Sequence, residues 1–318
     1  MTIGIAAYGP RAGLAILRAL AAVETIGRGS IGGFVSVVAL SPTGAIIRAE
    51  AQQGGSRGMF PAGIDSAPSE LLTAPVAGLI SSGPNRPEPL AQFTPALAGV
   101  GLVTGHRMPN TVGVSGRQIN DEVVDLMREG IGAEMAVRRV LAANPMADAG
   151  IIALSCDGDL FAADSDYVTR RGDSGQAIAG SREGGAVVGV LHNSIHPSRP
   201  IATLAAEVAL DVMQPMDRID GWIILRADTP LRAGSANAVE ITGTGGVDMI
   251  VVEDHRFLSG CWSVGLGYET PIMQGGDYVG IMLHEPYMVV RDACVVTIDG
   301  ERELRIPIRT VGRTATIS

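Results

Sequence analysis

Lysine is absent from all 318 residues, so the 24 basic side chains are all arginine. That excludes Schiff-base and pyridoxal chemistry on a lysine, the lysine of a phosphate-binding P-loop, and a Ser-Lys dyad. Aromatic residues make up only 4% of the chain, so a core has to be built from Ala, Val, Ile and Leu. The three cysteines, Cys156, Cys261 and Cys294, are odd in number and have no CxxC spacing. They imply neither a disulfide framework nor a zinc site, and they fit a reducing compartment. No apolar run approaches the ~18 residues of a membrane span. The opening stretch MTIGIAAYGPRAG lacks the basic start and apolar core of a signal peptide. With a net charge of −9 and no basic run, nucleic acid and anionic membranes are poor partners. The expectation is a cytoplasmic protein that handles a small molecule, needs no cofactor and forms a homo-oligomer.

What is abundant is apolar and small. Hydrophobic residues are 46% and charged residues 18%, enough for a sizeable core. The 42 glycines favour tight turns over long helices. Residues 2–8, TIGIAAY, read as a buried strand. From Pro10 to about Thr25, Leu14, Ile16, Leu17, Leu20 and Val23 form one broad helical face. IGGFVSVVALSPTGAIIRAEA reads as a hairpin around Ser-Pro-Thr-Gly. Residues 54–92, rich in Gly, Pro and Ser, read as a long loop with one short helix near Glu70–Leu72. AGVGLVTG is a second buried strand. Asn120 is expected to cap a helix, with Asp121 and Glu122 in its first turn. A further helix runs from Gly130 to about Ala142, followed by a hairpin over 150–163, a strand at GAVVGVLHNS and an Ala-rich helix over 200–213. Beyond Pro215, short strands separated by Gly, Asp and Pro replace helical periodicity. The expected domains are therefore 1–217 and an all-β domain over 218–318.

The densest motif is Arg170-Arg171-Gly172-Asp173-Ser174-Gly175. Gly-Asp-Ser-Gly carries the nucleophile in chymotrypsin-like proteases. Those enzymes need two β-barrels with a His and an Asp ahead of the Ser. Here only His106 precedes Ser174 among histidines, and helical stretches occupy the region. A turn in which Asp and Ser satisfy backbone groups is the better explanation of those four letters.

A different order of motifs runs through the first two-thirds. A buried strand and a helix are followed by Gly27-Arg28-Gly29-Ser30 leading into a hairpin, then by helices containing Ala133-Glu134. Next comes DAGIIALSCDGDLFAA, with its turn at Gly158, and then Arg170 to Ser174. Over residues 1–213 this order resembles the isoaspartyl-peptidase and plant-type asparaginase family of N-terminal-nucleophile hydrolases. The resemblance implies an αββα sandwich, within an α+β fold class, and hydrolysis of a small amide- or peptide-type bond in an amino-acid-like substrate. It also implies a substrate grip by Arg170 or Arg171 with Asp173 and Ser174. Guanidinium forks suit a carboxylate and an Asp carboxylate suits an ammonium. An internal ion pair steadying a turn is the competing reading of the same residues.

The family's nucleophilic Thr falls on Asp148 in this sequence. A carboxylate cannot carry out the N-to-O acyl shift that frees a nucleophile's own α-amine, so the chain is expected to remain uncleaved at that position. Substitute hydroxyls are Ser30, which follows Gly29 and opens a strand, and Thr111 in NTVGV. His106 ends a buried strand beside Arg107, where an α/β sheet tends to place its ligand crevice. Ser30, Thr111 and His106 are thus the candidate catalytic residues. Cys156 reads as a turn residue. His192 and His196 have metal-like spacing but no evident third ligand, so no metal site is expected. His255 and His284 read as solvated strand-end residues. The alternative to a hydrolase is a catalytically silent binding or assembly module on the same scaffold.

Overall fold

The computed structural model describes residues 1–29, 31–215 and 219–311, with backbone only for residues 198 and 199. The chain is α+β and divides into two compact units, residues 1–215 and 216–318. In the first unit the elements in order are β1 (Thr2–Tyr8), α1 (Ala12–Ile26), β2 (Phe34–Leu40), β3 (Ile46–Gln52), α2 (Gly55–Met59), α3 (Ser69–Leu72), β4 (Val76–Ser82) and β5 (Ala96–Leu97). They continue with β6 (Gly101–Arg107), α4 (Ile119–Arg128), α5 (Ala133–Ala143), β7 (Ala149–Ser155), β8 (Leu160–Asp164), α6 (Asp166–Arg171), β9 (Ser174–Ser181), β10 (Ala186–Asn193) and α7 (Ser198–Met213).

Two sheets form, a six-stranded one in the order β3-β2-β4-β1-β10-β9 and a four-stranded one in the order β5-β6-β7-β8. Every pairing in them is antiparallel. Strand alternation explains how they stack, because successive side chains point to opposite faces. From β1, Ile3, Ile5 and Ala7 join Leu79, Val188 and Val190 in packing against Ile16, Leu20 and Val23 of α1 and Ala202 and Ala206 of α7. Ala6 turns the other way. With Val38, Val76 and Leu191 it meets Leu102, Ile152, Leu154 and Ala162 of the second sheet. The outer face of that sheet, through Val103, Ile151 and Ala153, is covered by Val123 of α4 and Val137 and Val140 of α5. Helices, sheet, sheet and helices therefore lie in that order. Each fully buried Leu, Ile or Val contributes roughly 1.5–3 kcal/mol to this stack.

The two sheets come close together at a glycine. A Cβ added to Gly4 of β1 would lie 2.2 Å from the Gly105 carbonyl oxygen of β6. Within the second sheet, one added to Gly150 of β7 would lie 2.3 Å from Nε2 of its register partner His106 on β6.

Two sequence expectations need correction. Residues 54–92 are not a long loop. They contain α2, α3 and β4, and VAGLISS is buried throughout and lies beside the central β1. Its flanking Pro, Gly and Ser dilute an apolar run of strand length. Asn120 is not the cap of α4, since Gln118 holds that position. Asn120 is buried in the first turn, where its Nδ2 donates to the Gln92 carbonyl at 2.7 Å.

The second unit is all-β. Its strands are β11 (Gly221–Arg226), β12 (Leu231–Ala233), β13 (Ala238–Ile241), β14 (Val247–Val252), β15 (Cys261–Gly265), β16 (Pro271–Gln274), β17 (Asp277–Met282), β18 (Tyr287–Arg291), β19 (Cys294–Ile298) and β20 (Glu303–Thr310). They form a seven-stranded sheet, β11-β20-β17-β16-β13-β14-β12, and a three-stranded sheet, β15-β18-β19. Ile223, Ile250, Ile272, Met282, Met288, Val290 and Ile306 share one core between them.

Candidate functional site

Polar side chains concentrate at the end of the first unit where β1 begins. The register there forms one rung across the six-stranded sheet. Ser82 of β4 is paired with both Phe34 of β2 and Thr2 of β1, Thr2 with Asn193 of β10, and Asn193 with Ser174 of β9. Directly paired residues share a face, and even-numbered residues of β1 face the second sheet. Thr2 is 2% exposed. Its Oγ1 donates to Ser82 Oγ at 3.4 Å, and Ser82 Oγ also accepts from Arg86 Nη2 at 3.3 Å.

The second sheet supplies a charged cluster opposite. Strand β6 ends on His106 and Arg107, and Arg107 has φ 62°. Its guanidinium bridges two carboxylates, with Nη1 3.0 Å from Asp148 Oδ1 and Nη2 2.6 Å from Asp173 Oδ1. Asp173 Oδ2 accepts from Ser194 Oγ at 2.7 Å, and Asn193 Nδ2 donates to that same hydroxyl at 3.3 Å. Arg171 Nε stands 3.6 Å from Asp173 Oδ1. Burial pushes the Asp173 carboxyl upward, but hydrogen bonds from Ser194 and Arg107 and the charges of Arg107 and Arg171 outweigh it and hold the group below the usual carboxylate range. The α-amine at Met1 feels the same cluster. Burial first, then the charges of Arg107 and Arg86, lower its pKa against the opposing pull of Asp173 and Asp148. Several buried polar atoms at this end have no hydrogen-bond partner among the described residues: Arg107 Nε, Arg86 Nε, Asn193 Oδ1 and His106 Nδ1. Such atoms are costly unless something satisfies them.

The candidates read from the sequence have the following places. His106 is fully buried between the sheets, with Nε2 2.6 Å from Asp164 Oδ1, in the space that Gly150 leaves open. Asp173 is in the charged cluster with Arg171 beside it, and Ser174 is on the rung. Arg170 reaches Met146 Sδ instead, at 3.3 Å. Thr111 lies in the turn between β6 and α4, where its hydroxyl donates to the Met108 carbonyl at 2.8 Å. Ser30 lies outside the described residues. Burial raises the pKa of the Cys156 thiol, and the Asp157 charge adds to the effect, as suits an inert turn residue. Among the described residues no three His, Cys, Asp or Glu side chains come together as a metal site. His284 Nε2 is 3.0 Å from Asp299 Oδ2 on the exposed surface of the second unit.

The sequence reading passed over Thr2, Ser82, Arg86, Asn193 and Ser194, and it assigned no role to Arg107. Thr2 was visible as a hydroxyl at the head of an otherwise apolar strand. Ser82 and Arg86 were hidden by the misreading of 54–92 as loop. Asp148, read only as the position where a Thr is missing, is one of the two anions that hold Arg107.

Comparison with known families finds two matches along the chain. Residues 2–222 match the model of a domain of unknown function, DUF6963, and the chain belongs to that family. Residues 228–303 match a second domain of unknown function, DUF7259. No curated protein matches the chain. Among the described residues no helix is long and apolar enough to cross a membrane.

Proposed function

We propose that the first unit is an αββα scaffold of the N-terminal-nucleophile hydrolase kind and that it hydrolyses a small amide, with Thr2 as nucleophile once the Met1–Thr2 bond has been cut. The observation that carries this reading is the placement of Thr2. Its buried hydroxyl heads the central strand on the face between the two sheets, and the adjoining α-amine lies within the field of Arg107, Arg86, Asp173 and Asp148. The nucleophile thus moves from the position of Asp148, just ahead of β7, to the start of β1. Ser30 and Thr111 are not needed.

The chemistry follows from the neighbours. A Thr2 amine freed by that cut would sit one residue deeper in the environment that already lowers the pKa of the Met1 amine. An uncharged amine can take the proton from its own Oγ1 as that oxygen attacks the substrate carbonyl. The tetrahedral intermediate then expels the leaving amine, which carries the proton away. Water, deprotonated by the same α-amine, hydrolyses the Thr2 ester and regenerates the hydroxyl. Ser82 Oγ, 3.4 Å from Thr2 Oγ1, orients the nucleophile. Asn193, the register partner of Thr2 on β10, has a second Nδ2 proton beyond the one it gives to Ser194, and in this reading that proton serves the developing oxyanion.

The test is intact mass together with covalent trapping. The purified chain is expected to lack Met1. An electrophilic acylating probe such as a β-lactone is expected to add one equivalent, which peptide mapping assigns to Thr2. Thr2→Ala should abolish labelling and reduce amide turnover by at least ~10³-fold. A chain that keeps Met1 and takes no label would instead favour the silent binding or assembly module.

A further inference from the structure

The charges around Thr2 do not cancel locally, and the uncancelled one is Arg86. Arg107 already has two carboxylates, Asp148 and Asp173. Asp173 in turn has both oxygens occupied, one by Arg107 and the other by Ser194, with Arg171 close by. Arg86 is different. Among the described residues no carboxylate pairs with it, its Nε is buried without a partner, and Nη2 reaches only Ser82 Oγ. Burial alone lowers its pKa, with no carboxylate acting to raise it.

Nor is Arg86 a loose surface side chain. The Gln52 side-chain amide clamps its backbone on both sides, donating from Nε2 to the Arg86 carbonyl at 2.6 Å and accepting from the Arg86 amide at 3.2 Å. Its guanidinium lies over the Phe34 ring, 6.0 Å from the centroid. Phe34 is the residue next to Ser82 on the rung that contains Thr2. A half-buried cation is therefore held in place one hydroxyl away from the proposed nucleophile.

We propose that Arg86 receives a carboxylate of the substrate, so that the site takes short acid amides carrying a free carboxylate and no ammonium group. This rests on the Thr2 reading for what happens after binding but not for binding itself. A guanidinium fork matches a planar carboxylate bidentately, and an incoming anion would compensate a charge that the protein leaves unpaired. The ammonium is disfavoured by the same accounting: Asp173, the carboxylate that a resemblance to amino-acid hydrolases would assign to it, already accepts from Arg107 on one oxygen and Ser194 on the other, and Arg107 and Arg171 offset its charge. In this chain Asp173 anchors Arg107, and selection of substrate passes to a residue outside the Arg-Arg-Gly-Asp-Ser motif.

The experiment uses the full chain bearing Thr2→Ala, so that binding is read without turnover. Titration calorimetry is run with malonamate, succinamate and glutaramate, the monoamides of three short dicarboxylic acids. Succinamide, which is neutral, and asparagine, which adds an ammonium, serve as comparisons. At least one monoamide is expected to bind, and at least tenfold more tightly than either comparison compound. Adding Arg86→Gln should weaken it by at least tenfold, while Arg86→Lys, which keeps the charge but not the fork, should fall between. A melting temperature for each variant establishes that it is folded. The proposal is overturned if no monoamide binds, if succinamide or asparagine binds as well as the best monoamide, or if folded Arg86→Gln binds it unchanged. The two readings separate cleanly. Labelling of Thr2 with binding indifferent to Arg86 removes this proposal and leaves the nucleophile. Arg86-dependent carboxylate binding in a chain that never labels removes the nucleophile and leaves this proposal.

Discussion

Arg107 adopts φ 62°, a region where an L side chain crowds its own backbone at a cost of roughly 1–2 kcal/mol. Two carboxylates meet its guanidinium there, and the neighbouring His106 remains sealed between the sheets. Asp173 is the partner whose titration can be read. Its pKa is depressed in the folded state, so at acid pH the unfolded chain binds the extra proton. The stability this group contributes is present above the unfolded value of about 3.9 and is lost as pH falls through the folded value. Acid titration of the wild-type chain against Asp173→Asn, followed by far-UV circular dichroism, should therefore give a shallower loss of stability below about pH 4 in the variant. Equal acid slopes in the two proteins would remove Asp173 as the anchor of Arg107.

At the level of elements, the meeting of β1 with β6 depends on two glycines facing each other. Gly4→Ala would place its Cβ 2.2 Å from the Gly105 carbonyl, a backbone atom that cannot swing aside, so the sheets must separate. A loss of about 2–3 kcal/mol is expected, read as a lower urea midpoint. Gly44, at φ +82° with nothing within 4 Å of an added Cβ, is the comparison. Gly44→Ala carries only the backbone cost of about 1 kcal/mol. If the two substitutions cost the same, close approach of the sheets is not what Gly4 provides. The elements were legible to different degrees. Strand β1, helix α1 and the β2–β3 hairpin stand out because their apolar residues keep a single period over seven or more positions. Strand β4 has an apolar run just as clear, but it follows two short helical turns and precedes a Pro-rich segment. Local composition there outweighed the run, although β4 pairs along its whole length with both β1 and β2.

The whole molecule has two separate sets of buried contacts. Among the described residues, the first unit has core clusters of its own and the second is built round a core over Ile223–Ile308. Cooperativity follows shared burial. Differential scanning calorimetry of the intact chain is expected to resolve two transitions, and a substrate-like monoamide should raise only the one belonging to the first unit. A single transition that moves as a whole with ligand would show the two units unfolding together. The change of texture past Pro215 was enough to see this division in the sequence, because the helical period stops there and short turn-bounded strands begin.

What the sequence determined by itself were the properties that depend on neighbours along the chain: which segments are strands or helices, which face of each is apolar, and which chemistries the missing lysines exclude. It also located His106, Asp173, Arg171 and Ser174 as polar residues worth following. Only the tertiary structure could gather the site. Thr2, Ser82, Arg86, Arg107, Asp148, Asn193 and Ser194 come from strand ends and loops up to almost two hundred positions apart, and they meet because antiparallel register aligns Thr2 with Ser82 on one side and Asn193 on the other. Register is fixed by burial of alternate residues across a whole sheet, a long-range quantity that no short motif records. For that reason the motif Arg-Arg-Gly-Asp-Ser can be read along the chain, while Thr2, the proposed nucleophile, lies at the other end of the first unit's sequence.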